Sequence, residues 1–125
     1  MDMKLELVYV PVSDVDKAIE FYTSIGFNKD QDHTLSEALR FVQLTPPGSA
    51  CSIAIGTGFG EMEPGTLKGV QVVVENIHKA RQYLLDAGLD IGEVEVHPWG
   101  SFVYFQDPDG NSWSVQQLPP KPSKK

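Results

Sequence analysis

Three histidines, one cysteine and a carboxylate-rich turn hold most of this chain's capacity for chemistry. His33 lies in a polar stretch, and His78 falls early in a predicted helix, where it should face solvent. His97 differs because His97-Pro98-Trp99-Gly100 sets it beside an indole at the exit of a strand. A pocket rim would use both rings there, since imidazole titrates near neutrality and can act as a general base or a hydrogen-bond partner. A turn carrying an amphipathic ring is the plainer use of the same residues.

Asp107-Pro108-Asp109-Gly110-Asn111 alternates acids and amide like the start of a calcium loop, but that loop needs Gly at its sixth position and a bidentate Glu at its twelfth. Ser112 and Leu118 stand there, so the segment reads as a tight turn, with Pro fixing φ and Gly allowing a positive one. Cys51 shares parity with Ile53 and Ile55, which makes it a small core residue rather than a nucleophile. Spacing alone assembles no Ser-His-acid triad, because those groups meet only in three dimensions. The Gly-rich segment Gly56–Gly65 lacks the Gly-Lys-Ser/Thr ending of a phosphate loop and fits no G-x-G-x-x-G register. Tyr9, Trp99, Phe102 and Tyr104 would suit a planar ligand, or would pack a sheet.

These residues belong to a chain of 125 residues, 41% hydrophobic and 22% charged, of a size for one core. No apolar run approaches the ~20 residues of a membrane helix. The start shows no basic region followed by an apolar stretch, and the lone Cys51 cannot form an internal disulfide, so a cytoplasmic protein without a membrane partner is expected. A net charge of −7 repels phosphate backbones, which argues against nucleic acid.

The elements that must position these groups occur twice. Leu7–Val12 is an apolar run, Ser13-Asp14 supplies helix-starting acceptors, and apolar residues at 15, 18, 19, 21 and 22 recur at helical spacing up to Gly26. Gly69–Val74, Asn76, the apolar residues at 77, 80, 83, 84 and 87, and Gly88 repeat that plan. A shift of 62 residues superposes Val8, Val10, Val12, Lys17, Ala18 and Gly26 on Val70, Val72, Val74, Lys79, Ala80 and Gly88. Strands are predicted over 41–44 and 51–55, and over 91–96, 102–105 and 113–117; residues 28–38 are too polar for one to be placed. Phe41 matches Phe102, whereas Gly48 matches Gly110, a slip of one residue within the intervening turn. Unit one thus spans about 5–56, a linker about 57–68 and unit two about 69–118, within a single domain; the tail 119–125 is expected to be disordered.

Alternation along the strands divides each sheet into two faces. Val8, Val10, Val12, Val70, Val72 and Val74 form a β-branched face suited to packing beneath the helices. The opposite face, with Leu7, Tyr9, Pro11, Gly69, Gln71, Val73, Ser52, Ala54, Ser114 and Gln116, is mixed. Small residues there would leave volume beside Tyr9 and Gln71.

Val10-Pro-Val-Ser-Asp-Val-Asp-Lys-Ala-Ile-Glu-Phe-Tyr22, then Gly26-Phe27, and Phe105-Gln-Asp-Pro-Asp-Gly-Asn111 give the chain its similarity to a known family. Over roughly residues 5–118 it resembles the vicinal oxygen chelate superfamily of glyoxalase I, extradiol dioxygenases and fosfomycin- and bleomycin-resistance proteins. The resemblance implies an α+β fold in which two tandem βαβββ units form a curved, barrel-like mixed sheet with helices outside, and a homodimer.

It also implies four metal-ligand positions, a His on each first strand and an acidic or amide ligand on each last strand. Here those positions are Leu7, Ser52, Gly69 and Ser114. A divalent centre needs imidazole, carboxylate or thiolate donors, so no metal and no other cofactor is expected. The leading expectation is a metal-free protein that binds a small molecule in a cup formed by Tyr9, Ser52, Gln71, Trp99, Tyr104, Ser114 and Gln116. The acidic chain would modestly favour cationic ligands. Two alternatives stand beside it: a lyase, isomerase or dioxygenase-like enzyme whose catalytic groups have moved, with His97 as candidate, and a regulatory or structural dimerisation domain.

Overall fold

A computed structural model describes residues 1–58 and 62–120. The elements run β1 (Leu7–Tyr9), α1 (Val15–Ser24), β2 (Asn28–Ser36), β3 (Leu39–Thr45), β4 (Ser52–Thr57), β5 (Val70–Val73), α2 (Ile77–Asp86), β6 (Glu95–His97), β7 (Gly100–Gln106) and β8 (Ser112–Gln117). They form two four-stranded mixed sheets, ordered β1-β4-β3-β2 and β5-β8-β7-β6. In each, the first strand pairs parallel with the last and the other pairs are antiparallel. The fold is therefore α+β with two βαβββ units, as the repeat predicts.

Two compact units result. One comprises Met1–Leu67 together with Asp107–Asn111, and the other Lys68–Gln106 together with the segment from Ser112 onward. The division falls at residue 67, and the 107–111 turn groups with the first unit. Residues 59–61 of the expected linker and 121–125 of the tail lie outside the described residues.

The helices begin and end for the same reasons in both units. Asp14 accepts a hydrogen bond from the Lys17 amide at 3.0 Å, and Asn76 accepts from the His78 and Lys79 amides. At the other end Phe27 N donates to Tyr22 O and Gly26 N to Thr23 O, which Leu89 to Leu84 and Gly88 to Leu85 repeat. This closure needs a left-handed residue after the helix, and Gly26 (φ 101°) and Gly88 (φ 93°) supply it.

Each helix buries one stripe on its own sheet. Ala18 and Tyr22 of α1 are buried and the helix packs on β4; Ile77 and Leu84 of α2 are buried and that helix packs on β7 and β8. Beneath them Val42, Leu44, Ile53 and Ile55 fill the first core, and Val103, Phe105, Trp113 and Val115 the second. Val10 is buried, whereas Val8, Val12, Val70, Val72 and Val74 are half-buried. Among the described residues no helix is long and apolar enough to cross a membrane.

Several expectations need correction. Residues 28–36 form β2, a sheet-edge strand exposed at every position, so no apolar alternation marked it. The expected 91–96 strand is limited to Glu95–His97, and that over Leu7–Val12 to Leu7–Tyr9, since Pro11 lacks the N–H a ladder requires. Cys51 precedes β4 and is only half-buried.

Candidate functional site

Cross-strand neighbours share a face, so the register states which side chains each unit presents together. In the second unit Gln71 lies opposite Ser114 and Ser114 opposite Tyr104. The next row is Val73, Gln116, Phe102 and Glu95, and His97 follows Glu95 on the same side. Five of the predicted binding residues, Gln71, Trp99, Tyr104, Ser114 and Gln116, thus belong to one unit. Four lie on this face, and Trp99 joins it from the β6–β7 turn by stacking on His97.

The face is aromatic at one end. The His97 and Trp99 rings lie parallel, 4° apart in plane and 4.9 Å between centroids, and Phe102 meets His97 edge-on at 5.8 Å. Phe102 and Tyr104 also stack, at 6.1 Å. Phe102 is buried, while Trp99 keeps 61% of its surface and Tyr104 42%, so two aromatic surfaces remain open. Glu95 Oε1 approaches His97 Nε2 to 3.4 Å. Partial burial, then the Glu95 charge, push the Tyr104 hydroxyl above its usual pKa, so it stays a neutral donor at physiological pH.

The centre of the face is polar and internally bonded. Gln71 Nε2 donates to Gln116 Oε1 at 2.7 Å, and Gln116 Nε2 donates to the Trp99 carbonyl at 2.8 Å. Gln116 is only 9% exposed and commits both ends of its amide within the protein.

The first unit presents the same rows with different chemistry. Tyr9, Ala54, Gln43 and Gln31 form one row, and Gly56, Phe41 and His33 the next. Comparing rows equates Tyr9 with Gln71 and Gln43 with Tyr104, so aromatic and amide have exchanged strands between the units. Gly56 stands where the second unit has Gln116. A cavity of about 210 Å³ opens here, lined among others by Tyr9, Pro11, Ala54, Gly56, Met62 and Pro64. Ser52 is buried and bonds Thr45 Oγ1 at 2.6 Å and Gln43 Nε2 at 3.3 Å. His33, exposed on β2, continues that polar chain through Gln31. His78 is exposed on α2.

The register also revises one equivalence. Ser114 faces Gln71, and the first-unit residue facing the matching position, Tyr9, is Ala54 rather than Ser52. The 46–51 connection is one residue longer than 107–111, whereas the alignment by sequence makes it one residue shorter, a displacement of two. Ala54, like Ser52, offers no ligand. The residues at the family's metal positions do not fit a divalent ion, since Leu7, Gly69 and Ala54 carry no donor and Ser114 only a neutral hydroxyl. Among the described residues no three His, Cys, Asp or Glu side chains gather where they could hold one.

Away from these faces, Arg40 pairs with Asp32 (2.8 Å) and Asp16 (3.0 Å). The Arg40 hydrogen bond holds the Asp32 carboxyl below its ordinary range, and the two carboxylates raise the guanidinium further.

Two βαβββ units, each with a mixed sheet under one helix, define the class of scaffold. Residues 4–115 match the model of the Glyoxalase/Bleomycin resistance protein/Dioxygenase superfamily, and the chain belongs to that family. TnmS3, an antibiotic binding protein from Streptomyces sp. CB03234, is 30% identical and superposes with a TM-score of 0.85, covering 94% of this chain and 98% of TnmS3. A glyoxalase/bleomycin resistance protein of the same organism is 31% identical, with a TM-score of 0.79 over 91% of this chain and all of the other. The Bacillus subtilis protein YetH, whose description is "uncharacterized", is 27% identical over 122 residues, 94% of this chain and all of YetH.

Proposed function

We propose that this chain is a metal-free small-molecule-binding protein whose ligand is a planar, aromatic and preferably cationic compound. The carrying observation is the second-unit face, where Trp99 and Tyr104 leave open aromatic surfaces beside the Glu95 carboxylate. A flat cation stacked on an indole gains both dispersion and the attraction of the ring quadrupole, about 0.5–2 kcal/mol for the latter. The net charge of −7 adds long-range attraction for such a ligand. Similarity to an antibiotic-binding protein over nearly the whole chain supports the same reading. Tyr9 and the first-unit cavity offer a second apolar surface on the equivalent face.

The test is titration with ethidium, a planar aromatic cation, monitored by quenching of Trp99, with the Trp99→Phe protein as the subtraction control. Saturable quenching at micromolar dye is expected, unchanged by chelator. Quenching that requires added Mn²⁺, Ni²⁺ or Zn²⁺, or stoichiometric metal in the purified protein, would overturn it. His97 held 3.4 Å from Glu95 favours a second reading, an enzyme using that pair as base and orienting acid. Turnover of a glutathione hemithioacetal that is lost in His97→Gln would establish that alternative. The homodimer implied by the family is tested by the mass of the eluting species in light scattering.

A further inference from the structure

We infer that Gln116 is a positioning residue which fixes the orientation of Trp99 and does not itself touch the ligand; its effect on binding rests on the reading just given. Trp99 is 61% exposed, so burial does not orient it. Among the described residues its ring has a stacking partner on one face, the parallel His97 imidazole. Its backbone, in contrast, is clamped: the Trp99 carbonyl receives the Gln116 amide N–H at 2.8 Å, and the other end of that amide is held by Gln71 at 2.7 Å.

The residue after Trp99 is fitted to the same clamp. Gly100 has φ 144°, and a Cβ there would lie 2.7 Å from Gln117 O, 2.9 Å from Gln116 Nε2 and 3.2 Å from Gln116 Cγ. The turn therefore rests against the Gln116 side chain so closely that only glycine fits. At 9% exposure and with both amide ends engaged, Gln116 has little left to offer a ligand. In the first unit the equivalent position is Gly56, so this clamp is peculiar to the half of the chain that carries the stacked pair.

The amide is required for its polarity. It must present an acceptor to Gln71 and a donor to a carbonyl, which a carboxylate cannot do and a protonated carboxylic acid can. Gln116→Glu should therefore release Trp99 at pH 7 and hold it again once acidified. The titratable groups facing position 116 are Glu95 and His97 of β6 and Tyr104 of β7; β5 contributes only Gln71 and Val73. Because Glu95 and His97 share this face, every measurement is paired with the unaltered protein at the same pH.

The readout is Trp99 fluorescence anisotropy and acrylamide quenching in ligand-free protein, with buried Trp113 reporting that the second core is intact. Gln116→Glu is expected to lower the anisotropy and at least double the quenching constant at pH 7, with recovery near pH 4, while uncharged Gln116→Met shows the loss at both pH values. Ethidium affinity should fall about tenfold in Gln116→Met, the usual scale for losing one oriented hydrogen bond. Trp99 signals unchanged in Gln116→Met, or loss in Gln116→Glu without recovery, would overturn the clamp. Mobile Trp99 with unaltered dye affinity upholds the clamp and refutes the ligand-binding role of the aromatic face instead.

Discussion

Replacing Tyr22 by Phe removes one hydrogen-bond donor from the most heavily bonded buried carboxylate among the described residues of the first unit. Asp107 is 5% exposed and accepts hydrogen bonds from Tyr22 Oη at 2.7 Å, Asn111 Nδ2 at 2.8 Å, Asn111 N at 2.9 Å and Asp109 N at 3.0 Å. Asn111, fully buried, extends this network to the Pro11 carbonyl and the Leu67 amide. The phenyl ring of the variant keeps the contacts that Tyr22 makes with Phe21 and Phe27, so the change isolates the hydroxyl. Hydrogen bonds to a charged group contribute about 1.5–3 kcal/mol, and Asp107 Oδ2 retains only its Asn111 partner, so a loss of about 2 kcal/mol is expected. That corresponds to about a 30-fold rise in amide exchange for α1 and β4, provided exchange proceeds through opening of this unit. At about 2.1 cal/mol/K per residue it is also a fall of about 8 °C in Tm. Hydrogen–deuterium exchange by mass spectrometry reads both units separately. Exchange in α1 and β4 altered less than about threefold, or altered equally in the second unit, would refute the assignment of Asp107 as the hub of the first unit.

Other consequences are open to measurement. Gly65 has φ 81°, and a Cβ would come within 2.1 Å of the Asp109 carbonyl oxygen, so Gly65→Ala should lower stability by more than the about 1 kcal/mol of left-handed strain alone, read in urea denaturation. Because Arg40 lowers the Asp32 pKa, the pair's stabilisation is present above the usual carboxylate range and disappears as pH falls through the lowered value; Arg40→Gln should lower Tm slightly at neutral pH and leave it unmoved below the lowered value, flattening that acid limb of the Tm profile. Millimolar Mn²⁺, Ni²⁺ or Zn²⁺ should leave Tm unmoved, whereas a native site occupied at 100 times its Kd would add about 2.7 kcal/mol.

The amino-acid sequence determined the doubled plan because local rules suffice for it. Asp14 and Asn76, Gly26 and Gly88, and the β-branched runs between them act through hydrogen bonds and torsions within a few residues. It also determined that Leu7 and Gly69 carry no donor atom and Ser114 only a neutral hydroxyl, which is a matter of atoms present. β2 escaped notice because a fully exposed edge strand has no apolar face to alternate with, and its stability comes from pairing with β3. The 107–111 turn was legible as a turn but not as a hub, since its partners Tyr22 and Pro11 lie some 85 to 100 residues away in sequence.

Only the tertiary structure decided the register, and a slip of two residues between β4 and β8 moved the equivalence of Ser114 from Ser52 to Ala54. It likewise showed the Gln116 amide bonded to Gln71 and to the Trp99 carbonyl, because a glutamine in a strand shows its parity in the sequence but not what its amide meets across the sheet. Long-range pairing fixes such identities, and nothing in the spacing of residues along the chain encodes it directly.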